Sequence, residues 1–169
     1  MADTRSWIAR YRVRLGFAAA ALVFWLARPC GLSLLIGTLV ATLGEAIRIW
    51  ASGHLEKGRE VTVSGPYRFT RHPLYLGSAI MGVGFAIASA SLAVAALVAG
   101  YLAITITSAI RGEERHLTEK FGAAYPAYRE GLVPPADRQF SLRRALANRE
   151  YRAVSGLVLA LALLAWKAR

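Results

Sequence analysis

The sequence predicts an all-α integral membrane protein of about five transmembrane helices, and three observations carry that prediction. The apolar fraction is 56% and the mean hydropathy is +0.40, both high for a soluble domain. A run of 37 residues, Leu74 to Ile110, contains no charged side chain. Arginine-poor blocks at 15–44, 74–110 and 153–166 alternate with arginine-rich segments. At 169 residues the chain is one domain by length. It divides into an N-terminal helical hairpin at 15–50, a core at 51–130 and a basic interfacial segment with a last span at 131–169.

A helix needs about 20 apolar residues to cross the hydrocarbon core, or about 17 at the short end. Leu15–Ala27 supplies 13, so the first span lies short or borrows interfacial Tyr11, Arg12 and Arg14. Pro29-Cys30-Gly31 signals a turn, and Leu32 to Trp50 forms the return span, with Glu45 and Arg48 near its end. Leu74–Ile110 is too long for one helix and too short for three. The small residues Ala88-Ser89-Ala90-Ser91 place a turn there, making 74–110 a hairpin. Ala153–Trp166 is the fifth span, its Trp166 and Lys167 suited to an interface. Before it, Pro134-Pro135 breaks the chain, and Ser141–Leu146 reads as a basic amphipathic helix that lies on the lipid surface or gates a lipid substrate.

Charge sets the orientation. With five spans, the N-terminus, the 51–73 loop and the 111–152 segment share one side, and that side holds most of the arginines. The positive-inside rule makes it cytoplasmic. Topology and contact with anionic lipid therefore account for most of the +11 charge. Nucleic-acid binding is a poor competitor, because no aromatic-basic binding module accompanies the charge. Cys30 is the single cysteine, which excludes an internal disulfide and a cysteine-based metal cluster. The three histidines, His54, His72 and His116, lack partners at ligand spacing, so no metal site is expected. No cleavable signal peptide is expected either, since the first apolar block runs through Arg28-Pro29 into a second.

The stretch GPYRFTRHPLYLG, residues 65–77, crowds polar and aromatic chemistry against the start of the apolar run. His72-Pro73 reads as a helix start, whose free N–H groups favour a carboxylate or phosphate. Gly77 removes a side chain where a ligand would approach the backbone closely. At the far end of the hairpin, Arg111-Gly112-Glu113-Glu114 places two of only ten acidic residues side by side, where adjacent carboxylates repel unless a cation sits between them. Leu117 and Phe121 continue the helix face, Gly122 stops it, and Tyr125 and Tyr128 follow. The hairpin brings 65–77 and 111–128 together. Amide donors, aromatic faces and a carboxylate pair suit S-adenosylmethionine, which carries a carboxylate, a purine and positive centres.

The order Gly65-Pro66-Tyr67, Arg71-His72-Pro73-Leu74-Tyr75-Leu76-Gly77, Glu113-Glu114, Leu117, Phe121-Gly122, Tyr125 and Tyr128 resembles the superfamily of isoprenylcysteine carboxyl methyltransferases and phospholipid N-methyltransferases. The resemblance covers about Gly44 to Tyr128. It implies an S-adenosylmethionine-dependent membrane methyltransferase with a cytoplasmic-side cofactor pocket. The implied cofactor residues are Val61 and Thr62 through their backbones, Tyr67, His72, Pro73, Leu74 and Tyr75, then Glu113 and Glu114, with Glu113 for the cofactor's ammonium. The carboxyl methyltransferases of that group carry an arginine four residues before the first glutamate. Here that position is Ala109, and Arg111 is two residues out of register, about 200° around the helix, which leaves the acceptor open. No catalytic residue is singled out, although His116 or Glu114 would serve as a base for an amine or thiol. The acceptor is lipophilic, a carboxylate, amine or thiol. The alternatives are an NADPH-dependent membrane reductase of the sterol-reductase type, whose Asn before the Tyr is Leu74 here, and a non-catalytic membrane scaffold.

Overall fold

The computed structural model describes residues 18–169. The N-terminal arginines and Leu15 to Phe17 of the first predicted span lie outside the described residues. Among the described residues the chain is helical, with no strand. Helix α1 runs through 18–26, and the chain turns at 27–30 into α2, Gly31–His54. Ser33 starts α2 by reaching back, its Oγ accepting from the Cys30 amide at 2.9 Å and so meeting one of the N–H groups a helix start leaves unpaired. After a loop and a short 3-10 turn at Gly65–Arg68 come α3, Pro73–Ser89, and α4, Leu92–Phe121. Helix α3 starts with proline in its first turn and His72 as its N-cap, the place where a missing N–H costs nothing. The turn between α3 and α4 falls at Ala90, which adopts a left-handed conformation (φ 46°), and Ser91 then caps α4 by accepting from the Val94 amide. Three further helices follow: α5, Ala124–Arg129; α6, Leu142–Ala147; and α7, Tyr151–Lys167.

Two of these helices, α2 and α4, are long and apolar enough to cross a membrane, and α3 is a shorter apolar helix of 17 residues. The outward faces are rich in large apolar side chains: Leu39 is 64% exposed on α2, Ile104 70% on α4 and Leu159 62% on α7. Exposed apolar surface on this scale marks contact with something other than water.

At one end of the bundle, α1, α3 and α7 finish where α2 and α4 begin. The Arg28 amide donates to the Ser89 carbonyl at 2.7 Å. Lys167 donates to the Trp25 carbonyl at 2.9 Å, and Trp166 stacks on Phe24. Ala27, Ala88, Val94 and Leu164 bury a small apolar core there. The other end gathers the end of α2, the start of α3, the charged end of α4 and helices α5 and α6. Nearly all of the described polar chemistry sits at that end.

The tightest packing joins α2 to α3, and small residues allow it. A Cβ on Gly44 would stand 2.6 Å from the Gly77 carbonyl oxygen, and one on Gly77 would meet the Gly44 carbonyl at 2.6 Å and Arg48 Cγ at 2.5 Å. Backbone-to-backbone approach of this kind is how small residues hold helices together where no hydrophobic force distinguishes protein from lipid. Arg48 then crosses the same interface, donating to the Leu74 carbonyl at 3.3 Å and to Ser78 Oγ. Its Nε lies 2.7 Å from Glu150 and 3.7 Å from Glu45. The triad of half-buried Arg48 with buried Glu45 and Glu150 thus ties α2 to α3 and to the start of α7.

Candidate active site

Three chain segments meet at the polar end because of local signals. The 3-10 turn at Gly65–Arg68 depends on Gly65, whose φ of +57° suits glycine and whose bare Cα lies against the His54 ring. The turn directs Thr70, Arg71 and His72 onto the start of α3. Helix α4 runs unbroken past its apolar stretch, so Glu113 and Glu114 stand on the same rigid rod three and four residues beyond Ile110. Gly122, at φ +53°, ends α4, and α5 folds back across the opening. Tyr128 fixes that return by donating to the Tyr67 carbonyl at 2.7 Å.

These segments enclose a cavity of about 700 Å³, within the size range of sites that hold drug-sized ligands. Val61, Thr62, Tyr67, His72, Pro73, Leu74, Tyr75 and Glu113 all line it. Gly77 does not. Its Cα faces α2, and its lack of a side chain serves the α2–α3 contact rather than a ligand's approach. Glu114 is not a lining residue either. Its carboxylate turns to protein partners: His72 Nε2 at 3.2 Å, Tyr125 Oη at 3.3 Å and Arg71 at 3.7 Å. The expected carboxylate pair therefore divides, with Glu113 facing the cavity and Glu114 bracing its wall.

His72 is the hinge of this arrangement. Its Nδ1 lies 3.8 Å from Glu113 and its Nε2 3.2 Å from Glu114, although Glu114 is 42 residues away in sequence. The Glu113 carboxylate, seconded by Glu114, raises the imidazole above its ordinary 6.5 against the opposing effect of burial. In return His72 lowers both carboxylates below their ordinary 4.5, helped by Tyr75 at Glu113 and by Arg71 and Tyr125 at Glu114. An imidazolium between two carboxylates relieves the repulsion that adjacent glutamates create.

The sequence put Leu117 and Phe121 on the helix face of Glu113 and offered His116 as a base, and all three line the cavity, but it did not assign Ala109 or Gly112 to the wall. Ala109, Gly112, His116 and Leu117 join Glu113 on the cavity wall at i, i+3, i+4, i+7 and i+8, one face of a helix. The period that marked Leu117 and Phe121, extended back one turn, reaches Gly112 and Ala109. Arg111 is exposed on another face, so the wall at Ala109 carries no cation from α4. Arg48, Lys57, Gly58 and Glu60 also line the cavity, and nothing local in the sequence marks them. Among the described residues, no three His, Cys, Asp or Glu side chains converge to hold a metal ion.

No solved structure matches the chain. It is 34% identical over 125 residues, 70% of its length, to the cobalt-zinc-cadmium resistance protein CzcN of Cupriavidus metallidurans. It is 31% identical over 90 residues to the nickel-cobalt-cadmium resistance protein NccN of Alcaligenes xylosoxydans xylosoxydans. The aligned parts span 58% and 42% of those relatives' own lengths. The family model described as phospholipid methyltransferase matches residues 15–124, which takes in α2, α3, α4 and every residue predicted to bind cofactor. With nearly two-thirds of its length inside that model, the chain belongs to the phospholipid methyltransferase family.

Proposed function

We propose that the protein is a membrane-embedded methyltransferase that takes its methyl group from S-adenosylmethionine and passes it to a lipophilic acceptor. The observation that carries this reading is the meeting of His72 and Glu113, from the start of α3 and the end of α4, on one cavity at the polar end of an apolar bundle. Five spans and a cytoplasmic polar end are part of the proposal, and the excess of arginine at that end supports them.

The residues present fit the cofactor. Glu113 offers a carboxylate to an ammonium, and Arg71 and Lys57 offer cations to a carboxylate. Tyr67, Tyr75, Phe121 and Tyr128 supply aromatic faces, and Val61 and Thr62 supply backbone groups. Bound S-adenosylmethionine would supply an already activated methyl on sulfur, so the chain's task is alignment and exclusion of water. Tyr128, tied to the Tyr67 carbonyl, and Tyr125 bring α5 to the rim of the cavity, and Leu74 and Ala109 present an apolar wall. For an amine or thiol acceptor the better-placed base is His116, which lines the cavity, rather than Glu114, which is committed to three protein partners. The metal-resistance names of the relatives describe a setting in which such an enzyme would work. We assign the chain no metal of its own.

Calorimetric titration of the detergent-purified protein with S-adenosylhomocysteine, and separately with NADPH, tests the reading. S-adenosylhomocysteine is expected to bind and Glu113→Gln to weaken it by at least tenfold, the worth of one charge-assisted hydrogen bond. Binding of NADPH alone would replace the methyltransferase by a reductase. Binding of neither ligand by folded protein would leave a scaffold.

A further inference from the structure

A second concavity lies behind the candidate active site, between the end of α2 and α6. It holds about 560 Å³ and is bounded by Leu55–Lys57, Arg59, Ser141, Arg143, Arg144, Ala147 and Asn148. Four of its residues are cationic, Lys57, Arg59, Arg143 and Arg144, and one is anionic, Glu56. Four positive charges less one negative leave +3 in a concave space, where low-dielectric walls focus the field. Glu56 is shared by Arg59 at 3.7 Å and Arg144 at 3.5 Å. Lys57 and Arg143 have no ion pair among the described residues.

The walls are fixed before any ligand arrives. Asn148 Nδ2 donates to the Ser52 carbonyl at 2.9 Å and to the Leu55 carbonyl at 3.0 Å, pinning the end of α6 to the end of α2. The Ser141 amide donates to the Gly53 carbonyl at 3.1 Å, and Phe140 packs over the bare Gly53 Cα. On the outer side of α6, Leu142 and Leu146 are 61% and 52% exposed, one turn apart. Helix α6 thus turns Arg143 and Arg144 into the concavity and leaves two leucines at the margin of the apolar bundle. The basic helix that the sequence marks as lipid-facing is one wall of a cleft.

We propose that this cleft binds a phosphate-bearing anion, with an anionic phospholipid headgroup as its source and the lipid's tails alongside Leu142 and Leu146. Arg143, which has no ion pair among the described residues and lines this cleft but not the candidate active site, meets the phosphate, and Arg59 and Arg144 add to the field together with Lys57, which borders both concavities. A zwitterionic headgroup carries its own ammonium into the +3 field and is disfavoured. The inference does not rest on methyl transfer: the cleft shares only Leu55 and Lys57 with the candidate active site, and it is read by a different ligand.

The test is titration of the full detergent-solubilised chain with short-chain phosphatidylglycerol, phosphatidylcholine of the same tails and inorganic phosphate. The comparison variant is Arg59→Ala/Arg143→Ala, two exposed residues outside the candidate active site, with retained S-adenosylhomocysteine binding and an unchanged melting temperature as controls for folding. Phosphatidylglycerol is expected to bind at least tenfold more tightly than phosphatidylcholine, and at least tenfold less tightly in the variant, the worth of the charge-assisted Arg143 contact. Inorganic phosphate that binds as well as phosphatidylglycerol, with the same loss in the variant, would keep the anion cleft and make its source soluble. Equal affinity for both lipids, undiminished binding in the variant, or no binding of any of the three would overturn the proposal.

Discussion

Adding a single methyl group at Gly84 distinguishes helix packing from every other role a glycine plays in this chain. A Cβ there would overlap the Ala41 amide nitrogen and stand 2.7 Å from both Ala41 Cα and the Gly37 carbonyl oxygen. All three are backbone atoms of α2, so no rotamer change relieves the overlap and the two helices must separate. Overpacking of that kind costs about 1–3 kcal/mol. The control is Gly100→Ala on α4, where a Cβ meets nothing within 4 Å and the helix gains about 0.5–1 kcal/mol from the change. For a chain of this length 1 kcal/mol moves the melting temperature by about 2–4 °C. Thermal unfolding in detergent should therefore show Gly84→Ala melting about 2–12 °C lower and Gly100→Ala about 1–4 °C higher. A Gly84→Ala protein that melts at or above the parent temperature would refute the close α2–α3 contact.

Other predictions follow from the site and its supports. Arg48→Met leaves Glu45 and Glu150 buried without their cation and is expected to cost about 3–5 kcal/mol; adding Glu45→Gln should restore part of it, and a melting temperature that the second change lowers further would count against the triad. Tyr128→Phe removes the 2.7 Å bond to the Tyr67 carbonyl, worth about 0.5–1.5 kcal/mol, and S-adenosylhomocysteine affinity should fall up to about tenfold; unchanged stability and affinity together would show that α5 does not hold the cavity closed. His72 contributes stability that is full below its ordinary 6.5 and is lost as pH rises through its raised folded value. Glu113 and Glu114 contribute stability that is full above their ordinary 4.5 and is lost as pH falls through their lowered folded values. Melting temperature should accordingly form a plateau between those limits, and His72→Gln should flatten its alkaline shoulder; an unaltered pH profile in that variant would remove the imidazolium from the account.

Much of the fold was legible because it rests on signals that act locally. The turn at Ala88–Ser91, the proline start at His72-Pro73 and the glycine stop at Gly122 each depend on a few adjacent residues, and the structure places all three where the sequence does. The juxtaposition of 65–77 with 111–128 was legible as well, since a hairpin with one turn leaves its two ends as neighbours. What the sequence hid depends on distance. Gly77 sits inside the most informative stretch of the chain, yet its neighbours are Gly44 and Arg48 from another helix, and no local pattern announces which face a glycine turns. The division of labour between Glu113 and Glu114 was hidden for the same reason. Adjacent helical residues point about 100° apart, and only the placement of Arg71, His72 and Tyr125 decides which one turns inward. Arg48 stood in the sequence as a charge near the end of a span, and its partner Glu150 lies 102 positions further along.

The length of α4 bears on how an acceptor would be encountered. Its apolar part, Leu92 to Ile110, is 19 residues, about 28 Å of helix against a hydrocarbon core of about 30 Å. Glu113, three residues further on, stands only about 4–5 Å past that limit, at the level of the headgroups. On the proposed function, an acceptor dissolved in the bilayer would reach the reacting position by sliding sideways, without entering water. Turnover in reconstituted vesicles would follow the acceptor's mole fraction among the lipids: adding inert lipid would slow the reaction, while adding buffer would leave it unchanged.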